Sequence, residues 1–352
     1  MARALRLARL GLRTSHPNPR VGCVVVAGGE VVGEGWHEKT GMAHAEVAAL
    51  TGAGTRARGA TVYLNLEPCC HSGRTPPCTD ALIEAGVARV VAAMEDPDPR
   101  VAGRGARILR DAGIEVDIGL MQEPALALNR GFVSRMARGR PWVTLKIAAS
   151  LDGGTALANG ESRWITSEAS RADVHRLRAT VSAIMTGSGT AVADDPALTA
   201  RCEGVTRQPL RVLVDGGLRV PETARLFEDT AGVVVATVSS ASASGRGRHV
   251  DVLSLPGVDG RVDLSRLMQH LGEREVNELL VEGGRGLGGA LLKNALVDEI
   301  VLYLAPTCLG NEAVGMLDLP AIAGLDQGTA LNIEDIRQVG PDLKITARVV
   351  RN

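Results

Sequence analysis

Aromatic side chains are scarce in this chain: three Trp, two Tyr and two Phe among 352 residues. Cores must therefore be assembled from Ala, Val, Leu and Ile, and stacking platforms for unpaired bases have little to be built from. A surplus of charge of either sign is also missing, the formal net charge being −1. Basic residues form no block longer than the Arg135–Arg140 cluster, which reads as a solvated helix end. Both shortages argue against a nucleic-acid surface, which needs clustered Lys and Arg. No apolar run approaches the ~20 residues of a membrane span, so neither nucleic acid nor membrane is an expected partner. The opening Met1–Leu10 segment interleaves arginines with leucines at helical spacing, and no cleavage site follows. It reads as a first helix rather than a targeting peptide. A disulfide framework is disfavoured too, because the six cysteines, at 23, 69, 70, 78, 202 and 308, are scattered apart from one group. That usage points to a reducing cytoplasm and a metal–thiolate site.

Hydrophobic residues, by contrast, make up 45% of the chain, enough for two domains that each bury a core. Apolar β-branched residues at 21–26 and 31–32 flank Gly28-Gly29 and predict a hairpin. Strands are expected at 60–66, 87–93 and 114–118, and helices at 45–50, 80–85, 105–112 and 126–137. Arg138-Gly139-Arg140-Pro141 is a polar hinge, after which the pattern restarts. Further strands are expected at 142–149, 181–186, 210–214, 232–238, 278–282 and 299–305, with helices at 167–179, 264–271 and 290–295. The stretch 239–247 reads as a loose connection. Such alternation implies layered α/β architecture, divided at 1–139 and 140–352.

The group with chemistry in it is His44-Ala45-Glu46, then Glu67-Pro68-Cys69, then Cys78. One imidazole and two thiolates can hold zinc on three sides and leave the fourth position open, as hydrolysis requires. Glu46 is the wrong group for a closed structural site and the right one to carry a proton to and from a water molecule. His-x-Glu followed by Pro-Cys and a second Cys is the pattern of zinc deaminases acting on bases. Here the second cysteine lies nine residues after the first, so the intervening loop is enlarged. Cys69 is expected to open a helical turn, where the dipole favours a thiolate. Cys70 and His71 are rival ligands by position and are expected to face elsewhere.

A glycine-rich pattern, Gly284-x-Gly286-x-x-Gly289, follows a strand and precedes a helix. Backbone amides at such a helix start can bind phosphate, but no acidic residue ends the next strand as a dinucleotide fold demands. The pattern therefore implies phosphate binding on another kind of sheet, with a plain glycine-rich packing turn as the alternative. Lys146, Asp152 and Glu282 sit on apolar strands or at their ends. Cleft-facing charges and surface or turn residues are equally compatible with that spacing.

Taken together, His16-Pro17-Asn18-Pro19-Arg20, Gly35-Trp36-His37, His44-Ala45-Glu46 and Glu67-Pro68-Cys69-Cys70-His71-Ser72-Gly73-Arg74-Thr75-Pro76-Pro77-Cys78 resemble one family. It is the bifunctional pyrimidine deaminase/reductase of riboflavin biosynthesis. Lys146–Gly153, Gly160–Thr166, Asp194–Thr199 and Glu282-Gly283-Gly284 extend the resemblance over nearly the whole chain. The resemblance implies two three-layer α/β domains, the first cytidine-deaminase-like and the second dihydrofolate-reductase-like. It implies zinc-dependent removal of a ring amine from a phosphoribosylamino-pyrimidinone, then NADPH-dependent reduction of ribosyl to ribityl. His44, Cys69 and Cys78 would hold one Zn2+ and Glu46 would move the proton. Asn18, His71 and Arg74 would contact the deaminase substrate, Arg74 at its phosphate. Ala148, Trp164, Thr190, Asp194 and the loop Gly284, Arg285, Gly286, Leu287, Gly288, Gly289, Ala290 match nucleotide positions. Lys146, Ser162, Arg178, Leu198, Arg201 and Glu282 match reductase-substrate positions, and paired arginines suit a phosphorylated ligand. Three residues depart from the family pattern: Cys70 for serine, Asp98 for asparagine and Gly154 for a basic residue.

A nucleic-acid deaminase with an accessory domain is the first rival reading, opposed by the low charge, the few aromatics and the enlarged cysteine loop. A non-catalytic zinc module that senses a dinucleotide is the second; it would tolerate loss of Glu46, whereas an enzyme would not. The partners expected are a small phosphorylated pyrimidine and further copies of the chain as a homo-oligomer, in the cytoplasm.

Overall fold

The computed structural model describes residues 1–71, 76–228, 231–240 and 249–350. The chain divides into two compact units, Met1–Arg140 and Pro141–Asn352.

In the first unit the elements run α1 (Ala2–Leu10), β1 (Gly22–Ala27), β2 (Glu30–Trp36), α2 (Ala45–Ala53), β3 (Thr61–Leu64), α3 (Cys78–Ala85), β4 (Arg89–Ala92), α4 (Arg104–Asp111), β5 (Glu115–Ile118), α5 (Gln122–Leu128) and α6 (Arg130–Arg138). The sheet order is β2-β1-β3-β4-β5. β1 is antiparallel to both neighbours, and β3, β4 and β5 are parallel. Strand alternation puts Cys23, Val25, Val62, Leu64, Val90 and Ala92 on one face, against Ala45, Ala49 and Ala53 of α2, Leu82 of α3 and Leu109 of α4. Gly22 faces the other side, where a Cβ would meet the Ala4 carbonyl of α1 at 2.1 Å. Leu5 of α1 shares a second core with Ala125 of α5 and Phe132 of α6.

The second unit contains β6 (Trp142–Ser150), β7 (Gly154–Ala156), α7 (Glu168–Arg178), β8 (Ala183–Gly187), α8 (Ser188–Asp194), β9 (Leu210–Val214), β10 (Val233–Thr237), β11 (Val250–Ser254), α9 (Leu264–Glu273), β12 (Glu278–Val281), α10 (Arg285–Lys293), β13 (Glu299–Ala305), β14 (Val314–Gly315), β15 (Leu331–Val339) and β16 (Asp342–Val349). Its sheet order is β11-β10-β9-β8-β12-β6-β13-β16-β15, with β14 and β7 forming a separate ribbon. β11 through β13 run parallel, and β16 and β15 add an antiparallel edge. Leu145, Met185 and Leu279 pack against Leu267 and Leu271 of α9 and Leu291 of α10. On the opposite face Ile184 and Leu280 meet Leu177 of α7, and Val301 and Tyr303 meet Val174. The result is three layers, and burial on both faces is why these strands read as continuous apolar runs. Among the described residues no helix is long and apolar enough to cross a membrane.

Several elements differ from expectation. The helix expected over 126–137 is split between α5 and α6 at Asn129, whose Oδ1 accepts from Arg20 N at 2.8 Å and whose Nδ2 donates to Arg20 O at 3.0 Å. That tertiary clasp outweighs local helix propensity. β7, β11, β14, β15 and β16 were not expected. β15 mixes charged and apolar residues, Leu-Asn-Ile-Glu-Asp-Ile-Arg-Gln-Val, and carries a register shift between Ile333 and Asp335, so no period-2 pattern survives.

α2 approaches β2 as closely as α1 approaches β1: a Cβ on Gly33 would meet the Ala49 carbonyl at 2.1 Å, and one on Gly35 the Ala45 carbonyl at 2.6 Å. Gly33→Ala is expected to push α2 off the sheet and cost about 1–3 kcal/mol, with zinc affinity falling in step. Urea unfolding with metal analysis of the purified variant checks this; an unchanged midpoint at full zinc content would contradict it.

Candidate active sites

In the first unit, His44 caps the N-terminus of α2 in extended backbone (φ −70°, ψ 159°), and Glu46 lies in the first turn. Cys78 is the first residue of α3. Cys69 does not open a helical turn as expected; it lies in the irregular segment after β3, across the end of α3. Its carbonyl accepts from Thr79 N at 3.2 Å and its Sγ from Cys78 N at 3.4 Å. The dipole argument thus applies to Cys69 by contact rather than by membership of the helix.

His44 Nδ1 is 3.2 Å from Cys78 Sγ and 3.5 Å from Cys69 Sγ, and all three donor atoms lie within 4.8 Å of one another. Tetrahedral zinc with ligand bonds of about 2.0–2.3 Å requires donor separations of about 3.6–3.8 Å, within a few tenths of an ångström of both His44–sulfur distances. One imidazole, two sulfurs and no fourth metal-ligating side chain among the described residues fit a catalytic zinc ion. Hydrogen bonding from Cys78, then from His44, holds the Cys69 thiol down at about 4 against the opposing effect of burial. The same hydrogen bond, with burial, pushes Cys78 up. Glu46 is buried, and burial, followed by the Cys69 charge, raises its carboxyl above the usual range, as suits a group that must hold a proton briefly.

His37 was given no role by the sequence, yet it is 3% exposed and its ring meets His44 edge-on, 5.4 Å between centroids. Its Nδ1 lies 3.2 Å from the Ala43 carbonyl and its Nε2 2.9 Å from Asn18 Nδ2. Donation from Nδ1 to the carbonyl fixes the tautomer, so Nε2 accepts from Asn18. His37 thereby turns the Asn18 amide oxygen away from itself. Only packing across some twenty residues of chain reveals this, although Gly35-Trp36-His37 stood in the motif.

His71 Nδ1 is buried and without a hydrogen-bond partner among the described residues. Arg74 lies outside the described residues. Cys70 Sγ donates to the Arg100 carbonyl at 3.7 Å and takes no part in the metal cluster. Asp98, the departure from asparagine, is buried, and both its oxygens accept from Arg100 at 2.6–3.0 Å, so its charge is offset within the same loop. Glu67 accepts from the amides of Asp96 at 3.1 Å and of Gly103 and Ala106 at 2.9 Å. It thus supplies the N-terminal cap that α4 lacks in its own sequence.

In the second unit the charges gather at the carboxyl ends of parallel strands, where open α/β sheets bind ligands. Glu282, just beyond β12, accepts from Arg178 Nε at 2.5 Å and Nη2 at 2.9 Å, and Lys146 Nζ of β6 is 4.0 Å away. Burial alone would raise Glu282, but Arg178 and Lys146 outweigh it and hold the carboxylate ionised. Burial lowers Lys146, partly countered by Glu282. Arg178 Nη1 also donates to the Thr199 carbonyl at 3.0 Å, and Arg201 Nη1 to Thr199 Oγ1 at 2.8 Å. Leu198 is buried in the core with Ile184 and Leu280, its backbone left-handed at φ +51°.

Ser162 and Trp164 lie between β7 and α7; the Trp164 ring is exposed and faces the Arg171 guanidinium at 4.5 Å. Arg163 Nη2 donates to the Asp194 carbonyl. Ala148, on β6, pairs with Tyr303. Gly284 N donates to Thr190 Oγ1 at 2.9 Å, joining the starts of α10 and α8. The glycine-rich segment divides by environment. A Cβ on Gly286 would meet nothing within 4 Å, but one on Gly289 would meet the Asp318 carbonyl at 2.2 Å, and one on Gly288 the Leu317 side chain at 3.0 Å. Gly286 faces open space and Gly284 lies in ordinary contact with Thr190 Oγ1, 3.5 Å from a built Cβ, while Gly288 and Gly289 admit a close neighbour. Arg285 lies 3.6 Å from Asp318, Leu287 packs over Gly187 and Gly283, and Ala290 joins the main core. Asp152 is a turn residue: it accepts from Ser150 Oγ, and from Leu309 N and Gly310 N at 3.0 and 2.8 Å. Gly154 is packed against Ala313 and Leu309, 2.9 and 3.1 Å from a built Cβ, which explains why no basic side chain stands there.

Two family models match this chain: the RibD C-terminal domain over residues 141–345, and the cytidine and deoxycytidylate deaminase zinc-binding region over residues 1–94. The riboflavin biosynthesis protein RibD of Escherichia coli K12 is 49% identical, over 97% of this chain and 96% of its own length. The Haemophilus influenzae protein of that name is 44% identical, over 98% and 95%. Among solved structures, Acinetobacter baumannii RibD superposes with TM-score 0.93 at 40% identity, covering 99% of this chain and 98% of its own. A deaminase/reductase from Thermotoga maritima superposes with TM-score 0.89 at 33% identity, covering 99% and 97%.

Asp96, adjacent to the Glu67 cap, carries a pH dependence. Burial, followed by the charges of Asp98 and Glu67, raises its carboxyl to about 7. Because the folded value lies above the unfolded one, the folded state binds the extra proton, and stability is lost as pH rises from about 4 to 7. Asp96→Asn keeps the acceptor for Asp98 N and removes the titration. Relative to the parent it is expected to gain stability on the order of 2 kcal/mol at pH 8 and little at pH 4. Thermal melts of both proteins across that range check the sign; a pH-independent difference would refute it.

Proposed function

The chain belongs to the RibD family, the bifunctional deaminase/reductases of riboflavin biosynthesis, and from that premise we propose how its own residues divide the two reactions. The enzyme deaminates 2,5-diamino-6-(5-phosphoribosylamino)pyrimidin-4-one hydrolytically with zinc and then reduces the ribosyl group to ribityl with NADPH. We assign the first step to residues 1–139 and the second to 140–352.

His44, Cys69 and Cys78 would hold Zn2+, which supplies the Lewis acidity that makes water a nucleophile near neutral pH. Glu46 takes a proton from the attacking water and returns it to the departing ring amine, the buried carboxyl favouring both directions of transfer. Asn18, oriented by His37, reads the substrate by its amide oxygen, and His71 offers the ring nitrogen that lacks a partner. Arg74 is assigned to the phosphate.

In the second unit NADPH, which supplies the hydride, is assigned to Ala148, Trp164, Thr190, Asp194 and Gly284 through Ala290, with Gly286 the open position of that loop. Lys146, Ser162, Arg178, Leu198, Arg201 and Glu282 are assigned to the sugar-phosphate substrate. Leu198 acts through its backbone, since its side chain is core. Arg178, Glu282 and Lys146 form a compact donor–acceptor cluster for the ribosyl hydroxyls, and Arg201 meets the phosphate.

One observation carries the reading: each unit gathers a separate ionisable constellation, Glu46 beside His44, Cys69 and Cys78 in one, and Lys146, Arg178 and Glu282 in the other. Mass analysis of products, with and without NADPH, tests it. Loss of the amine should need no NADPH, and two hydrogens should be added only in its presence. Glu46→Gln should lower deamination by about 10³-fold or more while leaving reduction of the deaminated intermediate intact. Glu282→Gln should do the reverse. Parallel loss of both activities in either variant would refute the division.

We also propose a cytoplasmic homo-oligomer. All six cysteines are unpaired, in keeping with a reducing compartment. Ile333 and Ile336 are each 57% exposed on the edge strand β15, a surface that a second copy would cover. A monomer mass by light scattering at micromolar concentration would overturn the oligomer.

A further inference from the structure

Arg201 is held in an unusual way for a surface guanidinium. Its polar partners among the described residues are Thr199 Oγ1 and both nitrogens of one imidazole, that of His175 on α7. Arg201 N lies 3.2 Å from His175 Nδ1, and Arg201 Nη2 lies 3.2 Å from Nε2. The backbone and the head of the same arginine thus lie at the two ends of one ring, whose single acceptor nitrogen takes a hydrogen bond from one of them. The carbonyl of His175 in turn accepts from Cys202 Sγ at 3.6 Å, so the segment 199–202 is laid along the C-terminal half of α7. None of these partners is an anion, whereas Arg178, one turn further along α7, has its carboxylate in Glu282.

We propose that His175 is a positioning residue for the reductase, its neutral ring holding Arg201 where the guanidinium meets the substrate phosphate. This rests on the reading of Arg201 as a substrate contact. A neutral imidazole offers one acceptor nitrogen, and an imidazolium offers none. Protonation therefore leaves both Arg201 donors facing N–H groups and adds a positive charge to a corner that already contains Arg178 and Arg201. The groups facing the ring are Arg178 from its own helix, Arg201 and the Thr199 carbonyl from the loop after α8, and Glu282 from the end of β12. Burial, then the two arginines, keep His175 below its ordinary value. Burial, then Arg178 and Arg225, likewise lower Arg201, and the three clustered arginines leave this corner positive charge to spare for a dianion. Because the competent ring is neutral, binding strength is present at neutral pH and lost as pH falls through the lowered value.

The test uses the full-length, zinc-loaded chain with NADPH and the deaminated intermediate. His175→Ala should raise KM for the intermediate about tenfold and leave kcat within about twofold. His175→Gln, which keeps an acceptor but cannot titrate, should restore KM at about pH 7.5 and flatten its rise between about pH 7.5 and 5.5. Titration of the substrate's own phosphate is common to both proteins, so the difference between the two profiles isolates His175. Arg201→Ala, run alongside, separates the two levels of the reading. If it raises KM and His175→Ala does not, the positioning role falls while Arg201 stands; if it leaves KM unchanged, both fall. A Gln variant as impaired as the Ala variant, or with the parent's pH profile, also overturns the proposal. The deamination rate of each variant reports that the chain is folded.

Discussion

Helix α2 rests directly on the backbone of β2, and the geometry of the metal-binding cluster follows from that approach. Ala45, Ala49 and Ala53 recur every four residues and form one fully buried face, and opposite them β2 places Gly33 and Gly35. With no side chain between them, helix and sheet come together at contact distance. That fixes the start of α2, so His44 and Glu46 arrive at a defined height above the carboxyl end of β3, where Cys69 follows. A chain with few aromatic side chains gains this proximity as a consequence of its small residues, because interior packing density has to be met by moving the elements rather than by larger side chains.

In the second unit the equivalent constraint is the attachment of α7. Ser167 caps the helix, and Asp342 of β16 accepts from Ser167 N, Ser167 Oγ and Ser170 Oγ at 2.8, 2.7 and 2.5 Å. Two residues further along β16, Lys344 donates to Asp173 at 2.7 Å, and Tyr303 of β13 donates to the same oxygen at 2.6 Å. Such a buried network is stable only when every member is satisfied, and here three donors meet Asp342 while the Lys344 ammonium and the Tyr303 hydroxyl meet Asp173. α7 is pinned along its first half, and its second half delivers His175 and Arg178 toward Thr199 and Glu282. The antiparallel pair β15–β16, which adds no cleft residue of its own, thereby sets the orientation of the helix that does.

Both sites separate groups that act from groups that orient. His37 turns Asn18, Glu67 caps α4 beneath the Pro68–Cys69 segment, and Arg100 neutralises Asp98. The departures from the family pattern have local compensations of this kind: Asp98 has its arginine two residues on, Cys70 has a carbonyl acceptor, and Gly154 has neighbours that occupy the space a side chain would need.

Ligand types at short spacings were legible directly in the sequence. A His-x-Glu pair at a helix start and two cysteines near one strand end restrict the chemistry to a few possibilities, because zinc and proton transfer each demand particular atoms. The alternation of strand and helix was legible for the same reason, since burial on one or both faces imposes a period on the residues. Relations between distant segments were not. Asn129 breaks a helix by binding Arg20, β16 orders α7, Asn18 takes its orientation from His37, and His175 meets Arg201 only once the 199–202 segment is laid on α7. Nor could the pattern 284–289 tell open glycines from packed ones, because Gly289 is required by the Asp318 carbonyl and Gly286 by nothing nearby. The sequence alone determined which atoms the protein has for its chemistry. Tertiary structure decided which of them face a substrate and which hold others in place, since desolvation and hydrogen-bond direction depend on neighbours that local spacing does not encode.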